Sequence, residues 1–143
     1  MNRSANVERN TKETKIKINF NIDGTGTCKS ETGVGFFNHM LDGFARHGLF
    51  DLDLQVVGDL EVDCHHTVED TGIVLGQAIL KALGDKKGIK RYGSFILPMD
   101  EVLAMCAIDL SGRPYLKFQA EFPDGKLDDF NTEMFREFFY AVS

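Results

Sequence analysis

Apolar and polar residues alternate directly after Thr14, which is the period of a half-buried β-strand. The apolar positions of this stretch are Ile16, Ile18, Phe20 and Ile22. Asp23-Gly24 follows and predicts a tight hairpin turn into a second short strand over residues 27–30, because Asp-Gly supplies the positive φ angles that such turns need. Residues 1–12 are polar and are expected to be mobile or to lie over a surface.

Similar strand patterns recur farther along the chain, separated by turn residues. They cover residues 52–56, 60–62, 95–97, 102–110 and 115–122. Apolar residues recur at helical spacing over residues 34–47, 65–83 and 129–142. We therefore predict an α+β fold with an antiparallel or mixed sheet. The order of elements indicates two similar halves, residues 1–88 and an incomplete second half over residues 89–143.

Composition narrows the classes of protein that the chain can belong to. The 143 residues are 43% hydrophobic, which suits one compact domain, and the net charge of -6 disfavours nucleic acid or an anionic membrane as a partner. The three cysteines have no CxxC spacing, so neither a disulfide framework nor a cysteine-based zinc site is expected. The N-terminus is polar and no apolar run approaches the length of a membrane span. A cytoplasmic protein is expected.

All four histidines lie within residues 39–66, and two of them are adjacent in Cys64-His-His-Thr-Val-Glu-Asp70. In a helix that starts near His65, Glu69 shares a face with either His65 or His66. Adjacent residues point about 100° apart, so the two imidazoles would serve different metal sites. Imidazole with carboxylate suits Mn, Fe, Ni or Zn. Alternatively, these residues only cap the helix and complement its dipole.

The other candidate site residues also have simple structural explanations. His39 and His47 lie about two turns apart on the first predicted helix and could reach one cleft, although either could be structural. Arg91 and Arg113 lie at glycine-containing turns and could bind phosphate oxygens, or they could be ordinary surface arginines. Glu13 precedes the first predicted strand and, taken by itself, is expected to be an ordinary charged side chain in contact with solvent.

Taken together, a series of segments resembles the imidazoleglycerol-phosphate dehydratase family in the family's own order over essentially the whole chain. The segments are Arg9-Asn-Thr-Lys-Glu-Thr14, Asn21-Ile-Asp-Gly24, Gly35-Phe-Phe-Asn-His-Met-Leu-Asp42, His47-Gly-Leu-Phe-Asp51, Gly58-Asp-Leu-Glu-Val-Asp-Cys-His-His-Thr-Val-Glu-Asp70, Arg91-Tyr-Gly93, Pro98-Met-Asp-Glu101 and Asp109-Leu-Ser-Gly-Arg-Pro-Tyr115.

The resemblance implies the fold of ribosomal protein S5 domain 2, with four-stranded sheets that carry helices on one face. It implies dehydration of imidazole glycerol phosphate to imidazole acetol phosphate with two Mn²⁺ ions per active site. The implied metal ligands are His39, His65, His66 and Glu69. The implied substrate contacts are Glu13, His39, His47, His65, Glu69, Arg91 and Arg113, with the arginines toward phosphate. Glu13 or Glu69 is the hypothesised acid/base group, with histidines as alternatives.

The family also has a second HHxxE segment, which does not occur in this sequence. The resemblance implies a large homo-oligomer, a 24-mer in the family, whose active sites are shared between subunits. We therefore expect a partial copy of the enzyme that is inactive and binds Mn²⁺ weakly in this form. One alternative is a zinc hydrolase in which HHxxE polarises a water molecule. The other is a non-enzymatic protein with structural histidines.

Overall fold

A computed structural model describes residues 3–123 and 125–143 of the chain. The strands are β1 (Ser4–Asn10), β2 (Thr14–Asn21), β3 (Cys28–Glu31), β4 (Asp51–Gly58), β5 (Tyr92–Met99), β6 (Val102–Asp109), β7 (Lys126–Leu127) and β8 (Phe130–Asn131). The helices are α1 (Gly35–Gly48), α2 (His65–Leu83) and α3 (Met134–Val142). Contacts divide the chain into two compact units, residues 1–84 with 115–143, and residues 85–114.

The first unit contains a four-stranded mixed sheet in the order β1-β2-β4-β3, in which only β3 runs parallel to its neighbour. Alternation along β2 and β4 produces one buried apolar face. Ile18 faces Leu54 across the two central strands, and both side chains are fully buried. The intervening residues, such as Lys17 and Gln55, are exposed on the other face. This is the pattern of a sheet that packs on one side and faces water on the other.

Helices α1 and α2 pack against the apolar face of this sheet, with α2 against β1, β2 and β4 and α1 against β3 and β4. Helix α3 packs in turn on α2. The approach of these two helices is close at Gly72, where a Cβ atom would lie 2.8 Å from Ala141 Cβ and 2.9 Å from the Phe138 carbonyl oxygen. Glycine is therefore required where α3 crosses α2.

The second unit is an antiparallel hairpin of β5 and β6, and every residue of both strands is exposed. Asp100 adopts a φ of 49° in its turn. The large exposed apolar side chains of the hairpin include Phe95, Leu103 and Met105. Among the described helices, none combines the length and hydropathy needed to cross a membrane.

The structure confirms the α+β class, the mixed sheet and the helix predicted over residues 65–83. It corrects two predictions near the N-terminus. Residues 4–10 form the edge strand β1, since Ala5 and Val7 pack on the core between polar neighbours. The hairpin predicted at Asp23-Gly24 is wrong, because β3 pairs with β4 and not with β2. Gly24 is instead needed for a close approach to β4, where its Cβ would lie 2.3 Å from Asp51 N.

Two predictions near the C-terminus are also corrected. Residues 115–122 are not a strand, although apolar residues alternate there. Phe122 stacks on Phe135 and Phe118 lies against Phe139, so this alternation serves packing on α3. Helix α3 begins at Met134 and is preceded by the short β7–β8 pair. Residues 115–143 group with the first unit, while the division into halves at residue 88 stays a prediction.

Candidate active site

The first turn of α2 carries the adjacent histidines, and its inward residues fix their direction. Cys64, Thr67 and Val68 are buried against the sheet. The Asp63 side chain accepts a hydrogen bond from the His65 backbone N–H at 2.7 Å, which satisfies one of the free donors at a helix start. The remaining side chains of the turn therefore point outward and are partly exposed.

His65 and Glu69 form a pair one turn apart on this outward face. The Nε2 atom of His65 lies 3.4 Å from Oε2 of Glu69, and the two side chains are 42% and 43% exposed. The spacing of four residues is the one that brings side chains of a helix into contact. The sequence left open which histidine shares a face with Glu69, and in the structure it is His65.

His66 makes a different contact, with a carboxylate from the end of β4. Its Nδ1 atom lies 2.8 Å from Oδ2 of Asp59. This hydrogen bond is the main cause that raises the pKa of His66, partly opposed by desolvation, and the nearby charges of Asp59, Glu13 and Asp63 add to the rise. The hydrogen bond fixes the ring and leaves Nε2 as its outward atom.

The two imidazole rings diverge. Their centroids are 6.1 Å apart and their planes are inclined by 68°. His65 pairs with Glu69 and His66 with Asp59, so each histidine has its own carboxylate. This geometry agrees with the expectation that neighbouring histidines serve separate sites.

Glu13 lies in the turn between β1 and β2, beside the start of α2. The Thr11 hydroxyl accepts hydrogen bonds from the backbone N–H groups of Thr14, at 2.9 Å, and Glu13, at 3.2 Å. Glu13 is exposed, and its charge is close enough to contribute to the raised pKa of His66. The structure therefore brings three of the predicted site residues, Glu13, His66 and His65, to one region.

His39 and His47 are both exposed on α1. Over residues 3–123 and 125–143, no group of three or more His, Cys, Asp or Glu side chains converges on a point where one ion could bind. The structure thus shows pairs of donors and does not assemble the whole predicted ligand set around an ion. The roles of His39 and His47 stay predictions.

Arg91 and Arg113 lie in the second unit. The Arg91 guanidinium donates to both carboxylate oxygens of Asp109, at 2.6 and 3.1 Å, and lies 5.0 Å from the ring centroid of Tyr92. The hydrogen bonds from Arg91 are the main cause that lowers the pKa of Asp109, and the charge of Arg113 adds to it. The backbone N–H of Arg113 donates to the Ser111 hydroxyl at 3.1 Å. Their predicted phosphate contacts stay predictions.

Sequence reasoning missed three aspartates that organise the site. Asp59 holds His66, Asp63 holds the first turn of α2, and Asp70 accepts a hydrogen bond from Thr14 at 2.5 Å. Asp59 could have been noticed, since it follows a strand in the same segment as the histidines. The other two resemble any polar residue of a turn or a helix start.

The fold and site define an α+β protein with two histidine–carboxylate pairs at the start of one helix. Comparison with known proteins gives the particular family. The family model for imidazoleglycerol-phosphate dehydratase matches residues 32–143. The chain belongs to this family, as its sequence motifs predicted.

Individual relatives agree with this assignment. Over 143 residues the chain is 62% identical to the imidazoleglycerol-phosphate dehydratase of Lachnoclostridium phytofermentans and 60% identical to that of Acetivibrio thermocellus. Each match covers 100% of this chain and 73% of the relative. The crystal structure of imidazoleglycerol-phosphate dehydratase from Staphylococcus aureus has a TM-score of 0.84 at 41% identity, and the match covers 97% of this chain and 76% of that one. These matches favour the dehydratase over the zinc hydrolase.

Proposed function

We propose that the chain removes water from imidazole glycerol phosphate to give imidazole acetol phosphate, in histidine biosynthesis, with two Mn²⁺ ions held at the start of α2. Membership of the dehydratase family supports the reaction. The observation that carries the metal proposal is the pairing of His65 with Glu69 and of His66 with Asp59. The first pair offers the imidazole and carboxylate donors that a borderline divalent metal takes, and in the second pair the carboxylate orients an imidazole donor.

The geometry of these donors fits a metal ion. His65 Nε2 and Glu69 Oε2 are 3.4 Å apart, which is about the separation of two ligands that each lie ~2.1 Å from one ion. His66 Nδ1 is held by Asp59 at 2.8 Å, so that Nε2 can bind. A carboxylate on the second ring nitrogen is the usual support of a metal-bound histidine. We propose His39 as a further ligand, as the family resemblance implies.

The reaction removes a proton from a carbon that no carbonyl group activates, so the imidazole ring of the substrate must accept the developing charge. Bound Mn²⁺ would supply Lewis acidity to that ring. Glu13, with Glu69 as the alternative, would accept and return the proton. Glu13 lies in the turn between β1 and β2, and its charge is among the smaller causes that raise the pKa of His66, which supports a place for Glu13 near the start of α2.

The phosphate of the substrate would be bound by Arg91 and Arg113. Guanidinium groups bind phosphate oxygens in bidentate fashion, and Asp109 already shows this mode at Arg91 with contacts of 2.6 and 3.1 Å. His47 would contact the substrate as the resemblance implies.

We further propose a cytoplasmic homo-oligomer with active sites shared between subunits. The described histidines and carboxylates occur in pairs, and Mn²⁺ takes more ligands than a pair supplies. Donors from a neighbouring subunit would complete the two sites. The net charge of -6 supports the absence of nucleic acid among the partners.

Turnover with metal content measured in the same samples tests the proposal. We expect Glu13→Gln to lower kcat by about 10²–10⁴-fold, the usual size of acid/base catalysis, with Mn²⁺ content unchanged. Glu31→Gln, on an exposed edge strand, is the matched control and should behave as the wild type. Near-normal turnover of Glu13→Gln would remove Glu13 from the proton transfer. Because residues 1–143 by themselves are expected to be inactive, turnover is measured on the polypeptide that also carries the family's second HHxxE segment. Absence of imidazole acetol phosphate formation by that polypeptide would contradict the reaction itself.

A further inference from the structure

Asp70, the last residue of the HHTVED segment, belongs to neither histidine–carboxylate pair, and its carboxylate bonds to residues of the sheet. Its Oδ2 atom accepts a hydrogen bond from the Thr14 hydroxyl at 2.5 Å and lies 2.7 Å from Nη1 of Arg9. The Asp70 side chain is only 13% exposed and Thr14 is buried. One largely buried carboxylate oxygen thus has two partners.

The two partners of Asp70 lie on either side of the Glu13 turn. Arg9 is near the end of β1 and Thr14 is the first residue of β2. The Arg9 Nη1 atom is buried and has no well-aligned hydrogen-bond acceptor among the described residues, so its 2.7 Å contact with Asp70 is an ion pair. The Arg9 side chain as a whole is 31% exposed, so removing the Asp70 charge would leave this one buried nitrogen without a partner, and an unsatisfied buried donor is costly.

The hydrogen bonds inside the Glu13 turn do little to hold this turn against α2. Its internal hydrogen bonds run from Glu13 and Thr14 to the Thr11 hydroxyl. These bonds give the turn its shape, but they do not connect it to α2. The connection to α2 at this point is made by Asp70, which is adjacent to Glu69 in the helix and points about 100° away from it.

We propose that Asp70 is a positioning residue that fixes the Glu13 turn against the helix start that carries His65, His66 and Glu69. The inference rests on the proposed function of Glu13. The proton-transfer carboxylate and the metal-binding residues are thereby held as one body. A displacement of about 1 Å at a reacting group can cost on the order of 10²-fold in rate.

Amide hydrogen exchange tests the placement of the turn without any need for turnover. Thr14→Val keeps the buried volume and the β-branched shape but removes the hydroxyl, while Thr14→Ser keeps the hydroxyl. In Thr14→Val and in Asp70→Asn, we expect the amides of residues 11–14 to exchange about tenfold to hundredfold faster while those of α2 keep their protection. Thr14→Ser should restore protection. Asp42→Asn, which breaks the exposed ion pair with Arg46 on α1, is the matched control and should change nothing in the turn.

Turnover of the assembled enzyme gives the second readout. Thr14→Val should lower kcat with little change in KM or in Mn²⁺ content, and Thr14→Ser should recover the rate. Unchanged exchange at residues 11–14 in Thr14→Val and Asp70→Asn would overturn the proposal. Equal loss of protection in the turn and in α2 would also overturn it, because Asp70 would then have a purely structural role. A released turn with normal kcat would instead contradict the proton role of Glu13, so the two failures are distinguishable.

Discussion

Replacing Asp59 by Asn tests whether His66 is prepared to bind a metal ion. Because a carboxylate oxygen only accepts, Nδ1–H of His66 donates to Asp59 Oδ2 at 2.8 Å, and in the neutral ring Nε2 keeps its lone pair. The other carboxylate oxygen, Asp59 Oδ1, is buried and finds no hydrogen-bond partner in the described part of the chain. An asparagine must place its amide nitrogen at one of these two positions.

Both orientations of the asparagine are unfavourable. If its oxygen faces His66, the NH₂ group takes the buried Oδ1 position, where an unsatisfied donor costs about 1–3 kcal/mol. If its NH₂ group faces His66, Nδ1 must accept, and the proton moves to Nε2, which can then no longer bind a metal. Since about 1.4 kcal/mol corresponds to tenfold, we expect Mn²⁺ affinity to fall roughly 10- to 100-fold at the His66 site.

Electron paramagnetic resonance of free Mn²⁺ during titration of the protein measures this affinity. Because Asp59 raises the pKa of His66, protons compete with Mn²⁺ for this imidazole less strongly in the variant than in the wild type. The two proteins are therefore compared at alkaline pH, where this difference disappears. Asp53→Asn is the control, since Asp53 lies on β4 and is exposed on the face of the sheet opposite its buried residues. Nitrogen-15 chemical shifts of His66 report the tautomer. Unchanged affinity together with a proton still on Nδ1 would show that Asp59 does not prepare His66 to bind the metal ion.

Three further outcomes can be checked by simple measurements. Gly72→Ala should lower the melting temperature, because the clash with α3 costs about 1–3 kcal/mol and outweighs the gain of about 1 kcal/mol in helix propensity. Gly43→Ala should raise the melting temperature, because the space around Gly43 is open. Hydrogen bonds from Arg3 lower the pKa of Asp23 to about 2, so the stabilisation from this pair is fully present above pH 3.8 and is lost as the pH falls through about 2. A carboxyl NMR titration should give that midpoint, and Arg3→Gln should return it to the ordinary range. The exposed apolar hairpin should bind the dye ANS, and Met105→Lys, at its most exposed apolar side chain, should lower the fluorescence.

Much of the fold followed from periodicity in the sequence. Helix α2 was predicted with its observed bounds, because its apolar spacing is regular and Gly84 ends it with a φ of 57°. The pairing of β3 was not predictable, since a parallel neighbour of β4 and a hairpin partner of β2 have the same local pattern. Local pattern also could not show that Phe118 and Phe122 pack on a helix and not in a sheet.

The site was predictable where the spacing within one helix decided the geometry. The contact of His65 with Glu69 follows from their separation of four residues. The contact of His66 with Asp59 depends on how β4 is followed by the turn into α2, which no spacing rule gives. The link from Asp70 to Thr14 joins residues 56 positions apart and depends on the packing of α2 over the sheet.

The neighbouring histidines at the start of α2 are proposed to bind separate manganese ions. A crystal structure of the protein grown with Mn²⁺, with anomalous scattering recorded at the manganese edge, measures this directly. We expect one peak shared by His65 Nε2 and Glu69 and a second peak at His66 Nε2, with Nδ1 still bonded to Asp59. A single ion bound by both rings, or two rings packed in the protein with no ion beside them, would contradict it.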